Sequence, residues 1–328
     1  MSNTNAATTV WSAPNYLGTL YRIGANSTPF LNMIGGLQGS SVRIVQGMQF
    51  ALAQTYGLEA ASQPERTEAQ SVTAPTAWTY DRTQDVNTVQ LFDAQVSASY
   101  MKLASSQWLT ADSTTGLIDV TDVNPVQNEL QFQTKAAMEQ IATNVEYTFL
   151  NGSYVQSTDA TTAGKCCGII TAATTSTVAA SAGYLTKNLL NQLLRTMYAN
   201  GAKFTRPVIF CNAFQMQLIS DIWGFAPARD NVGGVAIDTV ITPFCRCGVV
   251  LAPRVPAATL LVADVSVCKP VFWQVPGKGV LFYEPLAKVG GAESGLIYGL
   301  IGLKKNRGLI KSFDASAWET KVAYRKAA

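Results

Sequence analysis

The stretch from Asn124 to Gly152, NPVQNELQFQTKAAMEQIATNVEYTFLNG, constrains the fold more than any other part of the chain. Asn124 can cap a helix, Pro125 fits the first helical position, and Gln127 stands where a capping box places Glu or Gln. Asn151 and Gly152 tolerate positive φ and can stop the helix. Leu130, Ala137, Ile141, Val145 and Phe149 recur on one face, leaving Glu129, Lys135, Glu139 and Glu146 for the others. A helix of about 26 residues is about 39 Å long. A strut of that length with one apolar stripe predicts a sheet braced along it. On the helix alone, a long core helix of a globular enzyme is the competing reading.

The chain has 328 residues, enough for one large domain or two joined ones, and 48% are hydrophobic. Only 14% are charged, against about 25% in an average soluble protein. No stretch reaches the run of about 18 apolar residues that a membrane helix needs, so no membrane partner is expected. Charge is depleted at the centres of protein interfaces, and the composition therefore favours assembly. Residues 1–152 carry 6 Lys/Arg against 12 Asp/Glu and residues 153–328 carry 18 against 9, giving net charges of −6 and +9. Opposite halves suit self-association in which one copy's front meets another's back.

Read in order, residues 1–45 form an extended arm rich in Asn, Thr, Ser and Gly, yet they carry Trp11, Tyr16, Phe30 and Leu31, which need a surface to pack on. TPFLNMIGG at 28–36 reads as a short helix or turn closed by glycines. Residues 42–103 read as a two-stranded excursion with a long polar connection, its returning strand slipping phase at a bulge near Phe92-Asp93. Such a ribbon is marginal in water by itself. After the strut, Thr186 caps a helix with a Leu189, Leu190, Leu193, Leu194 and Met197 stripe, and Pro207–Cys211 is a buried strand. Asn212 and Gln215 cap the next helix, which carries Phe214, Leu218, Ile222 and Trp223. A flexible loop at 225–236 precedes strands near 237–244, 248–252, 259–264 and 270–275. Leu296 to Leu303, apolar on both faces, is a central strand whose glycines relieve crowding.

Catalytic chemistry is hard to place. The chain has no His, which removes every Ser-His and Cys-His arrangement. Cys245-Arg-Cys247 lacks zinc-ribbon spacing, and adjacent Cys166 and Cys167 point in different directions, so six free thiols and no metal site are expected. GLIYGLIGLKKNRG matches neither phosphate-loop pattern. No catalytic residue and no cofactor are assigned. The first residues lack a secretion signal, and free thiols fit a reducing compartment.

The order of arm, two-stranded loop, strut helix, α/β segment and long C-terminal strands resembles the major capsid proteins of tailed double-stranded DNA phages, the α+β Hong Kong 97-type fold. The residues that carry the resemblance are TPFLNMIG at 28–35, SQPERTEAQ at 62–70, VNTVQLFDAQVSASYMKLAS at 86–105, NVEYTFLNGSY at 144–154 and VIFCNAFQMQLISDIWG at 208–224. The resemblance implies an N-terminal arm at 1–45 and an E-loop with flanking strands at 46–103. It implies a peripheral domain at 104–182 with its spine helix at 124–152, and an axial domain at 183–275. Strands of 276–328 then return to the peripheral domain. The implied function is structural: pentamers and hexamers of an icosahedral shell around the phage genome, made in the bacterial host cytoplasm and found in the virion. Implied partners are the chain itself, packaged double-stranded DNA held without sequence-specific contacts, portal and scaffold, and decoration proteins. No fused scaffolding segment is expected. An encapsulin compartment shares the fold and is the first alternative; an α/β enzyme is the second.

Charge then nominates contacts between subunits. The loop carries Glu65, Glu68, Asp81 and Asp85, and the C-terminal strand region carries Lys304, Lys305, Arg307 and Lys311. The expectation is that one copy's acidic loop lies on its neighbour's basic strand face.

Overall fold

The structure, a computed structural model, describes residues 27–37, 43–56, 58, 61–107, 128–173, 177–179, 185–199, 204–223, 230–232, 235–256, 259–288, 290–305 and 320–323. The first half contains α1 (Pro29–Met33), β1 (Arg43–Val45), β2 (Gln49–Tyr56), α2 (Glu68–Ser71), β3 (Arg82–Thr88), β4 (Gln90–Ser99), α3 (Tyr100–Gln107) and α4 (Glu129–Asn151). Then come α5 (Ile169–Ala172), β5 (Thr177–Ala179), α6 (Lys187–Ala199), β6 (Pro207–Cys211), α7 (Ala213–Trp223), β7 (Asp230–Val232) and β8 (Val235–Ile241). The remainder is β9 (Arg246–Leu251), β10 (Thr259–Asp264), β11 (Cys268–Trp273), β12 (Leu281–Pro285), β13 (Ala292–Lys305) and β14 (Thr320–Ala323).

Strand β13 is the axis of a five-stranded sheet, with β11 and β12 along one side, β4 along the other, and β1 beyond β11. Its glycines answer to crowding, as expected. A Cβ on Gly295 would enter the Tyr283 ring, one on Gly299 would lie 2.7 Å from Leu281, and one on Gly302 would lie 2.9 Å from Phe50. The spine helix α4 lies across β4 and β13 and buries Ile141, Val145 and Phe149. That is the predicted stripe on the predicted kind of surface.

The start of α4 differs from expectation, while its end falls at Asn151 and Gly152 as expected, for a different reason. Asn128 is extended, with φ −133° and ψ 106°, and its Oδ1 accepts the Gln131 N–H at 3.1 Å. Asn128 therefore caps a 23-residue helix, and the start predicted at Asn124 is corrected; 124–127 lie outside the described residues. At the other end Gly152 has φ −57°, so positive φ is not its purpose. A Cβ there would strike the carbonyl oxygens of Cys166 and Thr148. Gly168, whose N–H donates to Gly152 O at 2.8 Å, is equally confined, with Gly152 N 2.6 Å from its hypothetical Cβ. Two backbones touch here because neither residue has a side chain.

Glu146 is not on an open face of the spine. It is 0% exposed, and its carboxylate accepts the backbone N–H groups of Phe30 at 3.0 Å and Leu31 at 2.7 Å. Thr28 makes no side-chain cap at the start of α1, so these donors are satisfied by a residue on another helix. Phe30 then meets Phe210 of β6 edge to face, with ring centroids 5.5 Å apart. One continuous core thus runs from α1 and α4 into the second sheet.

The second sheet has seven strands in the order β5-β14-β10-β6-β9-β8-β7. Strand β6 is buried along its whole length, as predicted. Thr186 Oγ1 accepts the Leu189 N–H at 3.2 Å, and the α6 residues Leu190, Leu193, Leu194 and Met197 are buried. Asn212 and Gln215 cap each other reciprocally at 2.9 and 3.2 Å. Phe214 is exposed; Gln215 is buried instead, because its amide donates to Thr259 O at 2.6 Å. Within the predicted loop at 225–236, β7 pairs with β8 as a hairpin.

The two sheets do not divide the chain where the expected boundaries fall. Strand β14 pairs with β10 and β5, so the last described strand joins the seven-stranded sheet rather than the sheet under the spine. Strand β11 lies in the five-stranded sheet, which moves the crossing back from residue 275 to Asp264. The buried Asp264 carboxylate fixes that corner by accepting the N–H groups of Thr205 at 2.8 Å, Arg206 at 3.2 Å and Ser266 at 2.9 Å.

Candidate functional site: an assembly surface

The expected loop is a two-stranded ribbon, β2 against β3, joined by residues 57–81. The expected bulge at Phe92-Asp93 is absent. Strand β4 keeps one register with β13 from Gln90↔Ile301 to Ser99↔Ala292, with Phe92, Val96 and Ala98 inward and Leu91 outward. The break falls at Val89, between ribbon strand and sheet strand, and the ribbon's own irregularity lies between Ala51 and Gln54.

Only the root of the ribbon is buried. Phe50 and Leu52 join Val89 and Val271 in a small apolar cluster. Asn87, fully buried beside them, spends its side chain on backbone: Oδ1 accepts from Cys167 N and Thr88 N, both at 2.9 Å, and Nδ2 donates to Leu303 O at 2.8 Å. Toward the tip both faces are open, and Val72 is 87% and Trp78 80% exposed. The tip is nonetheless locally ordered. Thr67 and Gln70 form a capping box on α2, and Arg66 donates to the carbonyls of Gln70 and Thr73.

The nominated charges do not share one placement. Glu65, Glu68 and Asp81 are exposed on the ribbon connection. Asp85 and Lys305 instead line one cavity of about 290 Å³ within the same subunit, together with Leu52, Asn87, Tyr154 and Cys167. Lys305 is 3% exposed, and its ammonium donates to Gly168 O at 2.8 Å, with Cys167 Sγ 3.4 Å away. Its nomination as an open contact is therefore corrected, because the alternation of β13 turns Lys305 inward where Lys304 faces out. Arg307 and Lys311 lie outside the described residues.

Lys304 sits directly across from Lys269. Burial, and then the charges of Arg43 and Lys269, lower its pKa. Like charges paired across strands repel, and none of these three cations has an ion pair among the described residues. Sequence reasoning missed Arg43 and Lys269 because they approach Lys304 only through strand pairing.

Among the described residues no group of three metal-ligating side chains converges, and no helix is long and apolar enough to cross a membrane. A thin ribbon leaving a two-sheet body braced by a spine helix defines a class: the Hong Kong 97-like shell-forming fold. The Cyanophage A-1(L) capsid protein has it, at TM-score 0.61 and 13% identity over 96% of both chains. So do the SrpI encapsulin of Synechococcus elongatus, at 0.60 and 12% over 96% of both chains, and the Mycobacterium phage Patience protein, at 0.59 and 11% over 92% of this chain and 84% of that one. No curated protein matches. The model of the SU10 major capsid protein family matches residues 2–307, and the chain belongs to that family. It is a major capsid protein, a structural component whose copies assemble into the shell of a virion.

Proposed function

We propose that this chain closes, as pentamers and hexamers, into an icosahedral shell around phage double-stranded DNA held without sequence-specific contacts. The observation that carries this reading is the family match across residues 2–307. In it the five-stranded unit with α4 is the peripheral domain, the seven-stranded unit with α6 and α7 is the axial domain, and residues 1–45 are the arm. The shell is built in the host cytoplasm, with portal, scaffold and decoration proteins as partners. The exposed ribbon lies on a neighbouring copy, with Glu65, Glu68 and Asp81 facing the Lys304 surface; opposite charge and the open Val72 and Trp78 support that docking.

The SrpI encapsulin likeness, equal in coverage to the Cyanophage A-1(L) one, favours a second reading as a cellular compartment shell. Electron microscopy of purified particles, with nuclease-protected nucleic acid measured on the same material, separates the two. Icosahedral particles holding protected double-stranded DNA are expected. Shells with packaged protein and no nucleic acid would favour the compartment, and a small soluble oligomer would overturn both.

A further inference from the structure

The hairpin between β8 and β9 brings two thiols together outside any surface discussed so far. Cys245 precedes β9 and Cys247 is its second residue, so both side chains project to one side. Their sulfurs are 3.3 Å apart. The turn that holds Cys245 is pinned at its backbone: Thr242 N–H donates to Cys245 O at 3.0 Å, and Cys245 N–H donates to Thr242 Oγ1 at 3.2 Å. Cys247 is fully buried, whereas Cys245 is reachable from solvent. A reachable thiol in front of a buried one is the arrangement of an attacking and a resolving cysteine. The other cysteines lack it: Cys166 and Cys167 direct their sulfurs to separate carbonyls, and Cys211 lies against Met216.

We propose that Cys245 and Cys247 form a reversible dithiol–disulfide site, in which Cys245 attacks hydrogen peroxide and Cys247 resolves the product. The Cys245 thiolate attacks one peroxide oxygen, the O–O bond breaks, and the departing hydroxide takes up a proton to become water. Cys245 is then a sulfenic acid. Cys247 loses its proton and its sulfur displaces the hydroxyl from Cys245, releasing a second water and forming the S–S bond. Two thiols are oxidised and one peroxide is reduced. The sulfurs need to close by only about 1.3 Å to reach a bond of about 2.05 Å, a motion side-chain rotation can supply.

Proton distribution agrees with these roles. The hydrogen bond from Cys247, with help from Thr242, outweighs burial and the charge of Asp264 and holds Cys245 down at about 7, while the same contact and burial push Cys247 up. Of the two, Cys245 is the more readily ionised and Cys247 the one that keeps its proton. Because only Arg246 separates the cysteines, the closed loop is too short for a large entropic stabilisation, and a strained bond of this kind is readily reduced. Closure would stiffen the turn at Phe244, whose ring lies 6.3 Å from that of Tyr198 on α6.

The test uses the full-length protein in neutral buffer, treated with limiting hydrogen peroxide, blocked with N-ethylmaleimide and digested with trypsin. Cleavage after Arg246 places the cysteines on peptides 230–246 and 247–254, so an intrachain bond appears as a linked pair. That pair is expected to dominate the oxidised cysteine products, to disappear on dithiothreitol treatment, and to form about tenfold faster than oxidation at buried Cys166 or Cys211. In Cys247→Ser the reaction should stop at a Cys245 sulfenic acid that dimedone traps. Absence of the linked pair while other cysteines oxidise, or a bond between two chains in its place, would overturn the proposal, and either result is read on the unmodified protein.

Discussion

The carboxylate of Glu146 closes the helix that begins at Pro29, with Oε2 2.7 Å from the Leu31 nitrogen across 115 residues of sequence. It is the bond that joins TPFLNMIG to NVEYTFLNGSY, two of the segments by which the chain resembles its family. Burial raises the Glu146 pKa to about 7, against the lowering effect of the Leu31 and Phe30 N–H groups and of Arg254.

A raised carboxyl pKa means that the folded chain holds a proton the unfolded chain has released. The stabilisation linked to that proton is fully present below pH 4.5, the unfolded value, and is lost as pH rises to about 7. Glu146→Gln should flatten this slope in urea-unfolding midpoints measured across that interval. At low pH it should also cost about 1–3 kcal/mol, because its amide turns a donor toward one of the two N–H groups. An unchanged slope in the variant would assign the pH dependence elsewhere.

Gly168→Ala and Gly277→Ala should part sharply. The first drives a Cβ into Leu150 and Gly152 backbone at 2.6–2.8 Å, an overpacking that costs about 3 kcal/mol or more. The second meets nothing within 4 Å and strains only a φ of +78°, about 1–2 kcal/mol. Denaturation midpoints of unassembled subunits should rank them in that order.

Asn87→Asp should uncouple the ribbon from the body. Asp retains an acceptor for Cys167 and Thr88 but sets a second carboxylate oxygen against Leu303 O, where the wild type donates. A buried group without its partner costs about 1–3 kcal/mol. Hydrogen exchange should accelerate in β2 and β3 well before it does in β6 and β10.

Glu65→Lys with Glu68→Lys should weaken assembly at low salt, and adding Lys304→Glu in the same chain should restore part of it. Light scattering of assembling protein reports both. A triple variant that assembles no better than the double one would show that the acidic tip docks somewhere other than the Lys304 surface.

What the sequence made legible was what its neighbours in sequence decide. The Thr186 cap, the Asn212–Gln215 box, the α4 stripe and the two-sided apolar run of β13 all depend on residues within a few positions of one another. Glu146 and Asn87 were opaque because their partners lie 79 to 216 residues away. The phase slip expected at Phe92-Asp93 falls instead at Val89, where a ribbon strand becomes a sheet strand without any turn residue to mark the change. Lys305 looked like its neighbour Lys304 for a similar reason: a run of cations hides the alternation that the apolar part of the strand displays.

The ribbon has a mechanical consequence. It is clamped at Asn87, Phe50 and Leu52, and most of its described residues beyond them are open to solvent, which makes it a cantilever. A cantilever takes its angle from whatever it rests on, while its root keeps a fixed address on the body. A change in that angle therefore leaves the frame of the body as it is, with the bending confined to a few residues beyond the clamp.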